Sequence, residues 1–236
     1  MALLAVKFIH PGWLPGSQNG GIPLPSIYHG MTPERKQRLE AVLDKRQPDL
    51  TVVLENVFDP HNIAAVLRTC DAVGVVEAFA ITDRIPHRKA WGFRSSRSAS
   101  KWVKLHYFDD RAACLNIVRS RYQRLLGASL GANIPSMLES TFTGSTALVF
   151  GNEKYGLSQE MLYACDGFFY IPQQGMIHSL NISVACAVTL YEAMRQRKTA
   201  GLYDLPALNT EDRGRIYLQW SSGISEEEAP DDQDLT

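Results

Sequence analysis

No apolar run in the 236 residues approaches the roughly 20 that a helix needs to cross a bilayer. The apolar start, Met1 to Ile9, is short, carries no basic leader and runs into Pro11 and Gly12, which makes it a poor secretion signal. Cysteine is scarce: Cys70, Cys114, Cys165 and Cys186 stand far apart in apolar surroundings. No CxxC and no Cys/His pair has metal-ligand spacing, so neither a zinc site nor a disulfide framework is expected. Free buried thiols in a reducing compartment are the expectation, and with them a cytoplasmic protein without a metal. No GxGxxG follows the first expected strand, which disfavours a Rossmann-type dinucleotide enzyme.

An excess of either charge is also lacking overall: 24 Lys and Arg stand against 25 Asp and Glu, a formal net charge of −1. That balance hides an asymmetry. The segment after Gly223 carries six acids (Glu226, Glu227, Glu228, Asp231, Asp232, Asp234) and no base; setting those six aside turns −1 into +5 for the remainder. A mildly basic body permits nucleic-acid binding without demanding it. The acidic tail, 223–236, is expected to be disordered. Residues 1–30 hold many Pro and Gly, one charged residue (Lys7) and no periodic segment. They read as a disordered arm or as an upstream extension ahead of Met31.

What is present between those ends alternates strand and helix. Thr51-Val52-Val53-Leu54 and the stretch from Val75 to Thr82 read as strands that are apolar on both faces, as in a parallel sheet. Between them Pro60 to Gly74 reads as a helix with Ile63, Val66, Leu67, Cys70 and Val73 on one face; Arg68 lies well away from that stripe. Further strands are expected over Lys101–Phe108, at Leu125–Leu130, over Ala147–Gly151 and over Gly167–Ile171, with a helix over Arg111–Arg121. Ile171 to Arg197 reads as strand end, glycine loop (Gly175) and long helix, opened by Ser179-Leu180-Asn181 and stopped by Gly201. A weaker helix is expected over Thr210–Trp220. The pattern defines an α/β fold with a mostly parallel sheet and helices on both faces.

Two basic regions stand out. After Thr32-Pro33, a helix start, Arg35, Lys36, Arg38 and Arg46 crowd around a narrow apolar stripe of Leu39, Val42 and Leu43. From Asp83 to Lys104 the chain interleaves Arg88, Lys89 and Arg97 with Trp91, Phe93 and many serines. Each reads either as a solvated surface or as an RNA-contacting segment, since phosphates reward basic residues and exposed bases stack on aromatics. The end of the long helix adds Arg195 and Arg197.

Three stretches carry the chemistry: Glu55 to Gly74 (ENVFDPHNIAAVLRTCDAVG), Ala147 to Ser158 (ALVFGNEKYGLS) and Ile171 to Arg197. In this order and detail they resemble the three signature motifs of SPOUT-class RNA 2′-O-methyltransferases, and within that class the tRNA guanosine-2′-O-methyltransferases of the TrmH type. The resemblance runs from about Met31 to about Leu205. It implies one methyltransferase domain over 31–222 with a C-terminal deep trefoil knot (roughly Ala147 to Gly201), a homodimer whose sites are completed across the interface, S-adenosyl-L-methionine as cofactor, and tRNA as substrate, methylated on the D-loop guanosine at tRNA position 18. Methyl transfer onto ribosomal RNA is the neighbouring alternative; a non-catalytic RNA-binding protein on the same scaffold is the distant one.

The resemblance also distributes roles. Arg68 takes the place of the arginine that helps remove the hydroxyl proton. An arginine is a cation at neutral pH, so it either loses its charge in a desolvated site or keeps it and stabilises the developing alkoxide. Asn62 matches the first-motif asparagine, with helix capping as its plain alternative. Glu153 shapes the pocket floor, and Ser179 and Asn181 place ribose or guanosine. Ala128, Gly151, Ile171, Met176 and Leu180 fall to the cofactor pocket. One departure is Gln173-Gln174 and His178, where many relatives carry Met before the loop glycine and Gln before Ser-Leu-Asn. His178 and His61 read as structural.

Overall fold

A computed structural model describes residues 31–84, 101–131 and 133–222. The elements run α1 (Pro33–Leu43), β1 (Leu50–Glu55), α2 (Pro60–Ala72), β2 (Glu77–Ile81), β3 (Lys104–Phe108), α3 (Arg111–Arg121), β4 (Arg124–Ala128), β5 (Thr146–Phe150), α4 (Gln159–Ala164), β6 (Gly167–Phe169), α5 (Ile182–Thr199) and α6 (Thr210–Ser222). The six strands form one sheet in the order β3-β2-β1-β5-β4-β6, and every pairing is parallel.

The central strands β1 and β5 are buried at every position because both faces of the sheet are covered. In β1, Leu50, Val52 and Leu54 point to one side. There they meet Leu148 and Phe150 of β5, Ile63, Val66, Leu67 and Cys70 of α2, and Ile182, Cys186 and Leu190 of α5. Val53, with Phe79 and Ile81 of β2 and Ala147 and Val149 of β5, faces the other side. This second layer is closed by Cys114 and Val118 of α3 and Met161 of α4. Burying such side chains contributes about 1.5–3 kcal/mol each, before the entropy of ordering them is set against it. A third cluster joins the ends of the described chain: Leu39 and Leu43 of α1 pack on Ile216 and Trp220 of α6.

Local chemistry sets the helix boundaries. Thr32 caps α1, its hydroxyl accepting from Arg35 N–H, and Pro33 occupies the first turn. Asp59 caps α2 in the same way, accepting from His61 N–H at 2.8 Å. Asn181 caps α5, and Gly201, with φ +76, takes the left-handed position that ends it. The short α4, capped by Ser158, was not expected from the sequence: six residues are too few to show a helical stripe.

Two basic residues expected on an RNA-facing surface are instead in the interior. Arg46 is 1% exposed; it pairs with Asp71 at 2.5 Å and lies 4.7 Å over the Trp220 ring. Arg197 is fully buried in the last turn of α5, paired with Asp49 at 2.6 Å and donating to the carbonyls of Phe142 (2.9 Å) and Gly144 (2.8 Å). Both are corrected to structural roles, because a guanidinium buried inside the protein cannot reach a phosphate on its surface. Lys36 and Arg38 are exposed and Arg35 half-buried on α1, while Arg195 is exposed and paired with Glu192. Arg88, Lys89 and Arg97 lie outside the described residues.

No described helix is long and apolar enough to cross a membrane, and no group of three or more potential metal ligands clusters among the described residues. Burial pushes the Cys70 thiol up to about 12 and the Cys186 thiol well above its usual range; both lie in the layer between α2 and α5.

Candidate active site

In a parallel sheet all strands deliver their C-terminal ends to one edge, and ligand-binding loops collect there. Here that edge carries Glu55 ending β1 and Asn56 after it, Ala128 closing β4, Gly151 after β5 and Ile171 beyond β6. Since β5, β4 and β6 are neighbours, Ala128, Gly151 and Ile171 come from adjacent strands. All three are half-buried.

The β5 loop is folded tightly. Asn152 and Gly156 exchange backbone hydrogen bonds (2.9 and 2.8 Å), with Gly156 at φ +67. The Asn152 side-chain oxygen accepts from the N–H groups of Lys154 (2.9 Å) and Tyr155 (3.1 Å), on the far side of Glu153. A Cβ at Gly151 would come within 2.2 Å of the Gly156 carbonyl carbon, so only glycine permits this closure.

Glu153, at the tip of that loop, reaches across to α2. Its Oε1 accepts from the Asn62 amide at 3.0 Å, and the Asn62 side-chain oxygen accepts from the Asn181 amide at 3.1 Å. Asn181 also accepts from Ser183 N–H (2.8 Å) and the Ser183 hydroxyl (2.6 Å). One residue from each of the three sequence motifs thus belongs to a single hydrogen-bonded chain, Glu153–Asn62–Asn181. The capping alternative for Asn62 is overturned: Asp59 takes the cap, leaving the Asn62 amide for the site.

Other residues singled out in the sequence sit around this chain without joining it. Arg68 is exposed on α2, about 9 Å along the axis from Asn62 at the usual helical rise. Its side chain has no hydrogen-bond or ion-pair partner among the described residues. Ser179 is exposed and likewise without a described partner, Leu180 is half-buried, and Met176 is 94% exposed at the tip of the β6–α5 loop. His61 and His178 are both exposed.

The sequence reading missed the support beneath the site. Glu55, 1% exposed, accepts from the Ser158 N–H (2.9 Å) and hydroxyl, and pairs with Arg111 at 3.1 Å. Asn56 and Asn152, both buried, are joined through the Asn152 amide and the Asn56 carbonyl at 2.7 Å. A polar residue at the end of an apolar strand was the available signal. A cofactor with polar edges fits the residues present: Gln173, in the β6–α5 loop, holds a buried side-chain oxygen without a partner, an acceptor awaiting a donor. A separate cleft of about 630 Å³, lined by Trp102, Trp220, Arg121 and Glu77 among others, lies at the opposite, N-terminal end of the strands and does not belong to this site.

An all-parallel α/β sheet with its polar loops gathered at the strand C-termini is an arrangement that binds ligands at that edge. The sequence profile described as the SpoU rRNA Methylase family matches residues 49–191, and the chain belongs to that family. It is 44% identical, over 80% of its length and 96% of the relative's, to the tRNA (guanosine(18)-2′-O)-methyltransferase of Thermus thermophilus. Its fold is similar to the A. aeolicus TrmH/SpoU tRNA modifying enzyme, with TM-score 0.72, 36% identity, and coverage of 80% of this chain and 96% of that one. It is also similar to the SpoU methyltransferase AviRb from Streptomyces viridochromogenes in complex with AdoMet, with TM-score 0.57, 25% identity, and coverage of 66% and 62%.

Proposed function

We propose that this chain transfers a methyl group from S-adenosylmethionine to the 2′-hydroxyl of a tRNA guanosine, the D-loop guanosine at tRNA position 18. The observation that carries this reading is the Glu153–Asn62–Asn181 chain, assembled from all three motifs in a protein that matches nearly the whole length of a tRNA (guanosine(18)-2′-O)-methyltransferase. The cofactor, when bound, supplies a sulfonium-activated methyl group. Ala128, Gly151, Ile171, Leu180 and Met176 would hold it, with the free Gln173 oxygen offering an acceptor.

The chain's own task is to position the ribose and stabilise charge. Asn62, held from both sides, fixes the separation of Glu153 and Asn181, and with Ser179 these form a polar wall for ribose or guanosine. Orientation of this kind removes much of the barrier to a bimolecular transfer. Arg68 stabilises the alkoxide developing at the 2′-oxygen or the adjoining phosphate. Lys36, Arg38 and Arg195, with Arg35, Arg88, Lys89 and Arg97, supply phosphate contacts.

The working unit is residues 31–222, in the cytoplasm and as a homodimer without a metal. Val184 (45% exposed) and Tyr191 (50% exposed) on α5 support the dimer, since they sit on one outward helical stripe. A deep trefoil knot over Ala147–Gly201 is consistent with β6 lying beyond β4 at the sheet edge while α5 returns to pack on α2.

Transfer of labelled methyl from S-adenosylmethionine to unmodified tRNA transcripts tests the proposal. A single 2′-O-methylguanosine in the D-loop, absent with Arg68→Ala, is expected. Label only in ribosomal RNA would change the substrate and keep the chemistry. Tight RNA binding with no label in either RNA would overturn the catalytic reading.

A further inference from the structure

Asn56 commits every polar group it has. It follows β1 in the left-handed region, φ 53, where asparagine is better tolerated than most residues, and it is 5% exposed. Its N–H donates to the Ile81 carbonyl at 2.8 Å. Its side-chain amide donates to Asp83 Oδ1 at 2.7 Å, and its side-chain oxygen accepts from Arg84 N–H at 3.0 Å. Its carbonyl accepts from Asn152 Nδ2 at 2.7 Å. One residue therefore grips the turn leaving β2 and, from its other end, the loop that carries Glu153.

The neighbouring ion pairs make the gripped turn a fixed point. Asp83 Oδ2 lies 2.8 Å from the Arg111 guanidinium, which also pairs with Glu55. Arg84 pairs with Glu160 at 3.0 Å, on the helix that follows the Glu153 loop. Beyond Arg84 the chain enters the basic stretch of Arg88, Lys89 and Arg97. The Asp83–Arg84 turn is thus the described root of a segment suited to RNA phosphates, and its position relative to Glu153 is set through Asn56.

We propose that Asn56 is a positioning residue for methyl transfer. It registers the turn that leaves β2 against the loop that carries Glu153, so that presentation of the ribose to Glu153, Asn62 and Asn181 depends on that register. The inference rests on the reading of Glu153 as a site residue. It adds a role for a residue that touches neither cofactor nor ribose.

The test uses the full chain, tRNA transcripts and S-adenosylmethionine. Asn56→Gly suits the positive φ and keeps the carbonyl for Asn152, but releases Asp83 and Arg84. Its kcat/KM for tRNA is expected to fall about tenfold, while its Kd for S-adenosylmethionine stays within about twofold of the parent. Asn56→Asp sets a carboxylate against Asp83 and is expected to lose at least as much. Combining Asn56→Asp with Asp83→Asn restores the hydrogen bond with donor and acceptor exchanged, and is expected to recover most of the loss. A merely structural role would instead lower thermal stability and S-adenosylmethionine affinity together with kcat/KM.

A folded Asn56→Gly protein with unchanged kcat/KM for tRNA overturns the proposal. If Asn56→Gly does not fold, Asn56→Asp decides: kcat/KM for tRNA lowered at parental thermal stability and S-adenosylmethionine affinity, and recovered in the exchange variant, supports the proposal, and a parallel loss of all three overturns it. Glu153→Gln, run alongside, separates the two readings. Full activity in that variant removes Glu153 from the site whatever Asn56 does. An impaired Glu153→Gln beside unimpaired Asn56 variants leaves the site intact and removes Asn56.

Discussion

Asn62 donates to Glu153 at 3.0 Å and its side-chain oxygen accepts from Asn181 at 3.1 Å, so the Glu153 loop and the start of α5 are held by opposite ends of one amide. Asn62→Ala cuts both links at a half-buried position near the start of α2. Because a displacement of about 1 Å in a reacting group costs up to about 10²-fold in rate, kcat is expected to fall about 10- to 100-fold. Thermal unfolding should stay close to the parent's. Asn62→Asp, which faces Glu153 with a second carboxylate, should be worse. Single-turnover methyl transfer and melting curves on the same preparations check both.

Arg68 calls for the opposite balance of effects. It is exposed and unpaired among the described residues, so Arg68→Ala should alter stability by no more than about 0.5 kcal/mol. If the cation stabilises developing charge, kcat should drop by about 10²- to 10³-fold. Arg68→Lys keeps the charge but not the planar fork and should recover only part. Urea denaturation together with kcat on saturating tRNA separates the two quantities.

Arg197→Met removes a fully buried guanidinium and leaves Asp49 and the carbonyls of Phe142 and Gly144 without their donor. A loss of about 1–3 kcal/mol in unfolding free energy is expected, the usual cost of leaving buried carbonyls without a donor, since the Asp49 side chain is 42% exposed and can be solvated. Affinity for tRNA in the protein that remains folded should be unchanged. A weakened tRNA affinity at full stability would return Arg197 to the RNA surface.

Glu77 predicts an acid limit. Burial alone would raise its carboxyl, but hydrogen bonds from His106, Arg121 and Tyr122 outweigh burial and hold it at about 2, against an ordinary 4.5. A folded-state value below the unfolded one stabilises the protein above about pH 4.5, and that stability is lost as pH falls from there toward 2. The melting temperature should therefore fall between pH 5 and pH 3, and fall less steeply in Glu77→Gln. Parallel slopes in the two proteins would mean that another group governs acid unfolding.

Most strands were legible in the sequence because burial on both faces leaves a continuous apolar run, as in Val52-Val53-Leu54 and Ala147 to Phe150. Their order was not. Nothing in the residues of β5 says that it lies between β1 and β4; that is decided by how crossovers pack. The misread arginines have a similar cause. Arg197 ends a helix, where a cation usually meets solvent and the helix dipole, and only the fold brings Asp49 and the 142–144 backbone over it. At the site, the residues of the three motifs could be named from sequence, but their connection could not. Pro60 in the first turn of α2 lets Asp59 take the cap, and this frees Asn62 to bridge two distant loops. Asn56 was passed over because an asparagine after a strand is common in turns, and its partners lie at positions 83, 84 and 152.

The sheet order also bears on how the chain reaches this state. Every pairing is parallel, so no two neighbouring strands are joined by a tight turn, and the central pair sets Leu50 against Thr146. Until β5 arrives, β1 exposes one edge of unpaired backbone groups and the apolar row of Leu50, Val52 and Leu54 on one face. Loop-closure entropy must be met before such distant contacts form, so slow folding is expected, with apolar surface exposed to aggregation while it lasts. Refolding yield should therefore fall as protein concentration rises, a property fixed by the order β3-β2-β1-β5-β4-β6 and independent of the catalytic residues.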